Sequence, residues 1–188
     1  MKGMEAAVRT ILEEIGEDPD RQGLQKTPFR VAKMYREVTK GYHVDPAKII
    51  NGAIYDVKYD EMVVVANIEY YSLCEHHMLP FFGVVHVGYI PNGKVVGLSK
   101  IPRMVEMFAR RLQIQEQMTV EIANLLNDSL QPDGVGVIVE GQHMCMMMRG
   151  VQKDQARMVT SAMLGSFKDD EKTRAEFLNL IKKGGSIF

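Results

Sequence analysis

Two short segments, far apart in the chain, each combine a cysteine with a histidine, and they constrain the fold more than any other feature. Cys74 and His77 stand three residues apart in the run S-L-C-E-H-H-M-L-P at residues 72–80. In the second segment, Cys145 follows His143 by two positions. A fold that brings the segments together offers two thiolates and one imidazole, which are zinc ligands, with a fourth position for water as in catalytic zinc sites. A structural zinc needs a fourth protein ligand, and the sequence shows no obvious one nearby.

The local spacing makes two predictions about this group. Residues at positions i and i+3 of a strand face opposite ways, so Cys74 and His77 share a metal only if the chain turns, as Pro80 favours. His143 and Cys145 are two apart, so on a strand they point to the same face.

Two further histidines belong to this interpretation in a different role, and a simpler alternative stands beside it. His76 and His143 are better placed as bases beside the metal than as ligands. The alternative is that the two cysteines of the chain are buried apolar side chains, with histidines nearby by chance.

The composition limits the classes of protein to which the chain can belong. A chain of 188 residues, 46% of them apolar, is expected to form one domain of ordinary size with its own core. A net charge of −1 gives no general attraction to nucleic acid or to a membrane surface. The apolar runs are too short to span a bilayer, and no signal-like apolar core begins the chain. Two cysteines far apart then favour reduced thiols in the cytoplasm.

Helical periodicity predicts an N-terminal helical extension over residues 1–58, before a catalytic domain over 59–188. Apolar residues recur at helical spacing in residues 4–16, and a Thr-Pro pair precedes a second helix at 29–39. This second helix carries Arg30 and Lys33 on one face, which by itself indicates a solvated helix face.

After residue 61 the pattern changes to strands, and then to strands alternating with helices. The P-N-G sequence at residues 91–93 predicts a hairpin. The order indicates an antiparallel sheet with a pair of helices layered on one face, an α+β domain. Long strands at open edges favour pairing with another chain, so we expect a homo-oligomer. The predicted strands are 62–71, 81–90, 94–98, 134–145 and 158–167, and the predicted helices are 102–112, 116–130 and 172–182.

Three polar clusters add candidate binding residues. At Ser99, Lys100 and Arg103 a strand gives way to a helix, where free backbone N–H groups and two cations can meet an anion. A serine cap with surface charges explains that cluster equally well.

The second cluster, Gln115 and Glu116, starts a helix. There a carboxylate favours the helix dipole by default, but it also matches the paired N–H donors of guanine. The third, Arg149, follows Cys145 by four residues. On an extended strand this places their Cα atoms roughly 13 Å apart, near the reach from a nucleobase to its phosphates.

Taken together, these motifs resemble the GTP cyclohydrolase I family. The similarity runs from about residue 20 to the C-terminus, and the first twenty residues match less well. No departure occurs at a position that the family uses for chemistry. The motifs are T-P-x-R-V-A-K-M-Y at 27–35, C-E-H-H at 74–77, G-L-S-K-I-x-R at 97–103, Q-I-Q-E at 113–116, H-x-C-M-x-M-R-G at 143–150 and T-S-x-x-L-G at 160–165.

The resemblance implies the tunnelling fold, assembled edge to edge into rings as a decamer of two pentamers with pockets between subunits. It also implies zinc-dependent opening of the guanine imidazole ring of GTP, release of C8 as formate, and formation of 7,8-dihydroneopterin triphosphate. The implied roles are Zn²⁺ binding by Cys74, His77 and Cys145; proton transfer by His143 and His76; a ribose contact by Ser99; guanine recognition by Glu116 with Gln115; and triphosphate binding by Lys100, Arg103 and Arg149, with Arg30 and Lys33.

Two rival functions remain at this point. One is a non-catalytic module that zinc stabilises, and the other is a different pterin or purine enzyme on the same fold. Formate release from GTP separates the first rival from the enzyme. The second would bind the purine edge through an equivalent glutamate without the full set of ligands and phosphate contacts.

Overall fold

The computed structural model describes residues 2–50 and 52–183, apart from the side chain of Lys183. Close approaches between Cα atoms divide the chain into two compact units, residues 1–40 and 41–188. The boundary expected near residue 58 stays a prediction. Residues 184–188, the end of the predicted catalytic domain, lie outside the described residues.

The first unit contains two helices, α1 (Lys2–Glu14) and α2 (Thr27–Val38), which pack against each other. Val8 and Leu12 lie on the buried side of α1, as its periodicity predicts. Pro28 lies in the first turn of α2, where a missing N–H removes no helical hydrogen bond. Both predicted helices are confirmed, each beginning two residues earlier than expected.

The second unit is a mixed α+β fold, in agreement with the sequence. A short 3-10 helix, Lys40–His43, spans the division between the units. The remaining elements are α3 (Pro46–Ile50), β1 (Ile54–Asp56), β2 (Val63–Cys74), β3 (Pro80–Ile90), β4 (Lys94–Val96), α4 (Lys100–Ala109), β5 (Leu112–Gln113), α5 (Gln115–Leu130), β6 (Gly134–His143), α6 (Met144–Met147), β7 (Met158–Gly165), α7 (Ser166–Asp169) and α8 (Glu171–Lys183).

Five strands form the main sheet in the order β5-β2-β3-β6-β7. All neighbours are antiparallel except β5 and β2, which pair in parallel at Leu73 and Cys74. The predicted antiparallel sheet is thus confirmed, with one short parallel strand that the sequence did not reveal. That strand matters because it ties the segment before α5 to the end of β2, next to Cys74.

The predicted hairpin of β3 with β4 is wrong. Gly93 takes a positive φ of 74° in the turn, as the P-N-G sequence suggests, but β4 pairs with β1. Because β2 and β6 occupy both sides of β3, no edge of β3 is available to β4.

The helix pair α4 and α5 packs on one face of the sheet, as predicted, and covers the larger core. Val135, Val137 and Val139 face this core, whereas Ile138 faces the opposite side with Phe167 of α7 and Phe177 of α8. The C-terminal helices α7 and α8 therefore cover part of the second face of the sheet. The sequence predicts helices on one face only.

Two edges of the sheet lack a strand partner within the described chain. Strand β5 pairs with β2 only at its last two residues, so residues 63–72 have no strand beside them on that side. Strand β7 lies at the other end of the sheet, and its Val159 is 61% exposed. Long unpaired edges of this kind are templates for pairing with another chain.

Candidate active site

The end of β2 turns back on itself within five residues. The N–H of Met78 donates to the carbonyl of Cys74 at 2.8 Å, and the N–H of Cys74 donates to the carbonyl of Leu79 at 2.8 Å. Met78 takes a φ of 54°, which reverses the chain. The predicted turn is confirmed, and it brings the Sγ atom of Cys74 to 4.0 Å from Nδ1 of His77.

Cys145 lies on a helical turn and not on a strand, so the predicted shared strand face of His143 and Cys145 is wrong. Strand β6 ends at His143, and Met144–Met147 form α6. Arg149 follows this turn, and its Nη1 atom lies 3.3 Å from the carbonyl oxygen of Cys145. The roughly 13 Å extended separation is therefore also wrong, because a helical residue rises only about 1.5 Å.

The segments that contain Cys74 and Cys145 lie next to each other in the fold, as a shared metal site requires. Ligand atoms of Cys74, His77 and Cys145 all lie within 4.8 Å of one another. Cys74 is buried, Cys145 is half-buried and His77 is exposed, so one side of the group opens to solvent. Two sulfur donors and one nitrogen donor with an open side fit a tetrahedral zinc site that keeps one position for water.

The electrostatics of the two thiols fit a cation between them. Burial, and then the neighbouring Cys74, raise the pKa of the Cys145 thiol. Two adjacent thiolates repel each other, and a bound cation removes this repulsion. The donor set therefore suits a metal ion better than two isolated buried cysteines.

The side chains of His76 and Arg149 flank the group. His76 Nδ1 lies 3.8 Å from the Sγ atom of Cys74, and its Nε2 lies 3.7 Å from a carboxylate oxygen of Glu75. Arg149 Nη1 lies 3.3 Å from Nε2 of His77. Because His76 is solvent-exposed, it can exchange protons beside the metal position.

His143 occupies the end of β6, between the metal group and the start of α5. Its Nε2 lies 2.9 Å from Oε1 of Gln115, and its ring stacks on Phe81 with centroids 4.6 Å apart. Burial lowers the pKa of the imidazole, and the nearby carboxylate of Glu116 opposes this. The structure thus brings Gln115 and Glu116 close to His143, which precedes Cys145 by two residues.

The other predicted binding residues are not joined to this group. Ser99 is the N-cap of α4 but makes no capping hydrogen bond, which removes the support for a simple serine cap. In the part of the chain that the structure describes, no hydrogen bond or ion pair links Ser99, Lys100 or Arg103 to the ligand atoms. Arg30 and Lys33 are exposed on α2 in the first unit.

The sequence did not point to three residues that shape the surroundings of His143. Phe81 stacks on its ring, while Thr119 and Thr160 hold Gln115 through hydrogen bonds. A T-S motif at residues 160–161 was visible in the sequence, but nothing in it connected Thr160 with α5. Only the register of β6 and β7 beneath α5 makes that connection.

Comparison with known proteins agrees with this site. The sequence profile of GTP cyclohydrolase I matches residues 4–182, nearly the whole chain. The chain belongs to the GTP cyclohydrolase I family. The match begins at residue 4, so the similarity extends further toward the N-terminus than the expected start near residue 20.

Relatives from distant bacteria give the same result. GTP cyclohydrolase 1 of Leptospira biflexa is 54% identical over 181 residues, covering 96% of this chain and 99% of that protein. GTP cyclohydrolase 1 of Campylobacter jejuni is 56% identical over 186 residues, covering 99% and 98%. The prediction that this chain is an enzyme of the GTP cyclohydrolase I family is confirmed.

The archaeosine synthase QueF-Like in its apo form is 21% identical and aligns with a TM-score of 0.46, covering 57% of this chain and 97% of that chain. Separately, no helix within the described ranges is long and apolar enough to cross a membrane.

Proposed function

We propose that the chain opens the imidazole ring of GTP by hydrolysis, releases C8 as formate and forms 7,8-dihydroneopterin triphosphate after ribose rearrangement and reclosure. Membership of the GTP cyclohydrolase I family supports the substrate and the product. The observation that carries the chemistry is the convergence of Cys74, His77 and Cys145 within 4.8 Å. The rival of a non-catalytic module that zinc stabilises would use the same three residues, so turnover of GTP is what separates it from the enzyme.

Cys74, His77 and Cys145 would hold a zinc ion. When bound, zinc supplies a Lewis acid that activates water for attack on C8 of guanine. The chain's own residues bind the nucleotide, orient it and move protons. The free thiols of Cys74 and Cys145 must stay reduced to serve as ligands, which supports a cytoplasmic location.

Proton transfer falls to two histidines. His143 protonates N7 of guanine. This makes C8 more electrophilic and weakens the ring bond to C8 that must break when the imidazole ring opens. Its pKa, lowered by burial, favours release of that proton. His76 is the second acid–base group, and its exposure lets it exchange protons with water. Ser99 assists at the ribose.

The nucleotide is held at both ends. Glu116, in the first turn of α5, accepts hydrogen bonds from the paired N–H donors of guanine, and Gln115 lies beside it. Cations on separate elements bind the triphosphate because each phosphate carries negative charge. These are Lys100, Arg103 and Arg149, with Arg30 and Lys33.

We also propose that the sheet is a tunnelling fold that assembles edge to edge into rings, as a decamer of two pentamers with pockets between subunits. The support is physical. Residues 63–72 of β2 and the whole of β7 offer unpaired edges in the described chain. In addition, within the described residues no hydrogen bond or ion pair joins Ser99, Lys100 or Arg103 to the metal group, as expected if a neighbouring subunit completes each pocket.

Formate release tests the function directly. Purified protein loaded with zinc is incubated with GTP, and formate and the pterin product are measured. We expect one formate for each GTP consumed, and no formate from the Cys145→Ser variant. Tight binding of GTP and zinc without formate would instead support the non-catalytic module. A purine product that retains C8 would support a different enzyme on the same fold.

A further inference from the structure

The carboxamide of Gln115 is buried, and both its nitrogen and its oxygen have hydrogen-bond partners. The residue is 1% exposed, and its Nε2 lies 3.0 Å from the carbonyl of Val139, 3.1 Å from that of Met158 and 3.1 Å from Oγ1 of Thr160. Two carbonyl oxygens can only accept hydrogen bonds. Exchanging the amide oxygen and nitrogen would press Oε1 against both of them, so the orientation of the amide is fixed.

Two threonine hydroxyls close a chain of hydrogen bonds on the same residue. Thr119 Oγ1 donates to the main-chain carbonyl of Gln115 at 2.6 Å. Its one proton is then committed, so Thr160 must be the donor in the 2.7 Å contact between the two hydroxyls. Thr160 in turn accepts from Nε2 of Gln115. The two hydroxyl protons of this network therefore each have one position.

The network determines which nitrogen of His143 carries hydrogen. Oε1 of Gln115 has no hydrogen to give and lies 2.9 Å from Nε2 of His143, so Nε2 must donate. In the neutral ring the lone pair is therefore on Nδ1, for which the described residues provide no hydrogen-bond partner. Stacking on Phe81, with the ring planes within 4°, resists rotation of the imidazole.

The backbone leaves space for this arrangement at one glycine. A methyl group at Gly141 of β6 would collide with Oε1 of Gln115 and with the hydroxyl of Tyr70. A strand glycine commonly marks such a close approach. The position of Oε1 is therefore set by the sheet as well as by its hydrogen bonds.

We propose that Gln115 is a positioning residue that holds His143 in its Nε2–H tautomer, so that the proton exchanged with the substrate passes through Nδ1. The inference rests on the proposed function, in which His143 protonates N7 of guanine. The imidazolium gives its Nδ1 proton to N7, and the electron pair of that N–H bond stays on Nδ1. The neutral ring keeps its Nε2–H bond to Gln115.

Nitrogen NMR tests the tautomer without any turnover. Full-length protein labelled with ¹⁵N-histidine is measured by solid-state NMR at a pH where histidine is neutral, and His143→Asn identifies the resonances. We expect a protonated, pyrrole-type Nε2 and an unprotonated, pyridine-type Nδ1 for His143. The reverse pattern in the wild-type protein would overturn the proposal, whether or not any variant folds.

Variants then test whether Gln115 is the cause. Gln115→Met has a similar volume but no acceptor, and we expect mixed tautomers for His143. Gln113→Met is the matched control, since Gln113 is also buried but its amide bonds to Phe108 and Glu121. An unchanged His143 spectrum in Gln115→Met would contradict the proposal, as would the same change in the control.

Kinetics provide a second readout. Gln115→Met should lower kcat about 10- to 100-fold, as loss of an orienting partner does at other sites, with less than about a threefold change in KM. A raised KM at unchanged kcat would show a binding role and overturn the proposal.

If the wild-type protein releases no formate, the proposed function fails, while the wild-type spectrum still decides the tautomer.

Discussion

Two histidines lie on the paired strands β3 and β6, and the fold engages their ring nitrogens differently. His143 ends β6, whereas His86 lies within β3, opposite Ile138 of β6. Burial is the largest cause that lowers the pKa of both rings, and in both a nearby carboxylate opposes it. Residue type, strand pairing and the direction of the pKa shift therefore do not distinguish them.

The difference lies in how many ring nitrogens the fold uses. His86 is 4% exposed, its Nδ1 accepts the N–H of Asn67 at 3.3 Å, and its Nε2 lies 3.6 Å from a carboxylate oxygen of Glu140. Asn67 has a φ of 56° at the irregularity of β2, so His86 fastens that bulge to β3. His143 gives one nitrogen to Gln115, and the proposed function assigns the other nitrogen to proton transfer.

The largest expected effect comes from the metal group. Cys74→Ser, His77→Ala and Cys145→Ser should each lose zinc and leave less than about 1% of the formate release, because even outer partners of metal ligands contribute 10- to 100-fold. His86→Asn should keep its zinc and most of its activity. Zinc content by mass spectrometry and circular dichroism accompany the assay. Full activity in any ligand variant would refute the metal site.

The next comparison separates chemistry from binding beside the metal. His143→Ala should bind GTP within about threefold of wild type but lose about 10²- to 10⁴-fold in kcat, the usual share of a positioned acid or base. Glu116→Ala should weaken GTP binding by about 10- to 100-fold, since hydrogen bonds to a charged group are lost. Calorimetry with GTP measures both affinities. Unchanged affinity in the Glu116 variant would show that another group recognises guanine.

The smallest effect is a pH dependence of stability at His86. Because burial lowers its pKa in the folded state, the unfolded chain binds more protons below the usual histidine pKa of about 6.5. The contribution of His86 to the free energy of unfolding is thus present above about pH 6.5 and is lost as the pH falls. His86 lines a cavity whose other charged side chains are Glu69, Glu140, Arg157 and Lys182.

His86→Asn tests this pH dependence. It should cost about 0.5–3 kcal/mol at pH 8 and flatten the fall in stability between pH 8 and pH 5.5. Urea unfolding at one fixed protein concentration measures both, since assembly adds to apparent stability. An equally steep fall in the variant would mean that other groups cause the pH dependence.

The sequence by itself determined the parts of this protein that depend on near neighbours in the chain. Periodicity located the helices α4, α5 and α8 and the strands β2, β3, β6 and β7 to within a few residues. The C-E-H-H turn and the choice of ligands followed from residue chemistry at short spacing, because both cysteines carry a histidine beside them.

Only the tertiary structure decided what joins distant segments. No local pattern indicates that Cys145 lies on a helical turn, that β4 pairs with β1, or that β5 runs parallel to β2 beside Cys74. The same holds for the contact of Gln115 with His143, which requires α5 to lie over β6 and β7 in one register. Hydrogen bonds between such segments depend on three-dimensional packing, so the sequence supplied the polar side chains while the fold determined which nitrogen of His143 bonds to Gln115.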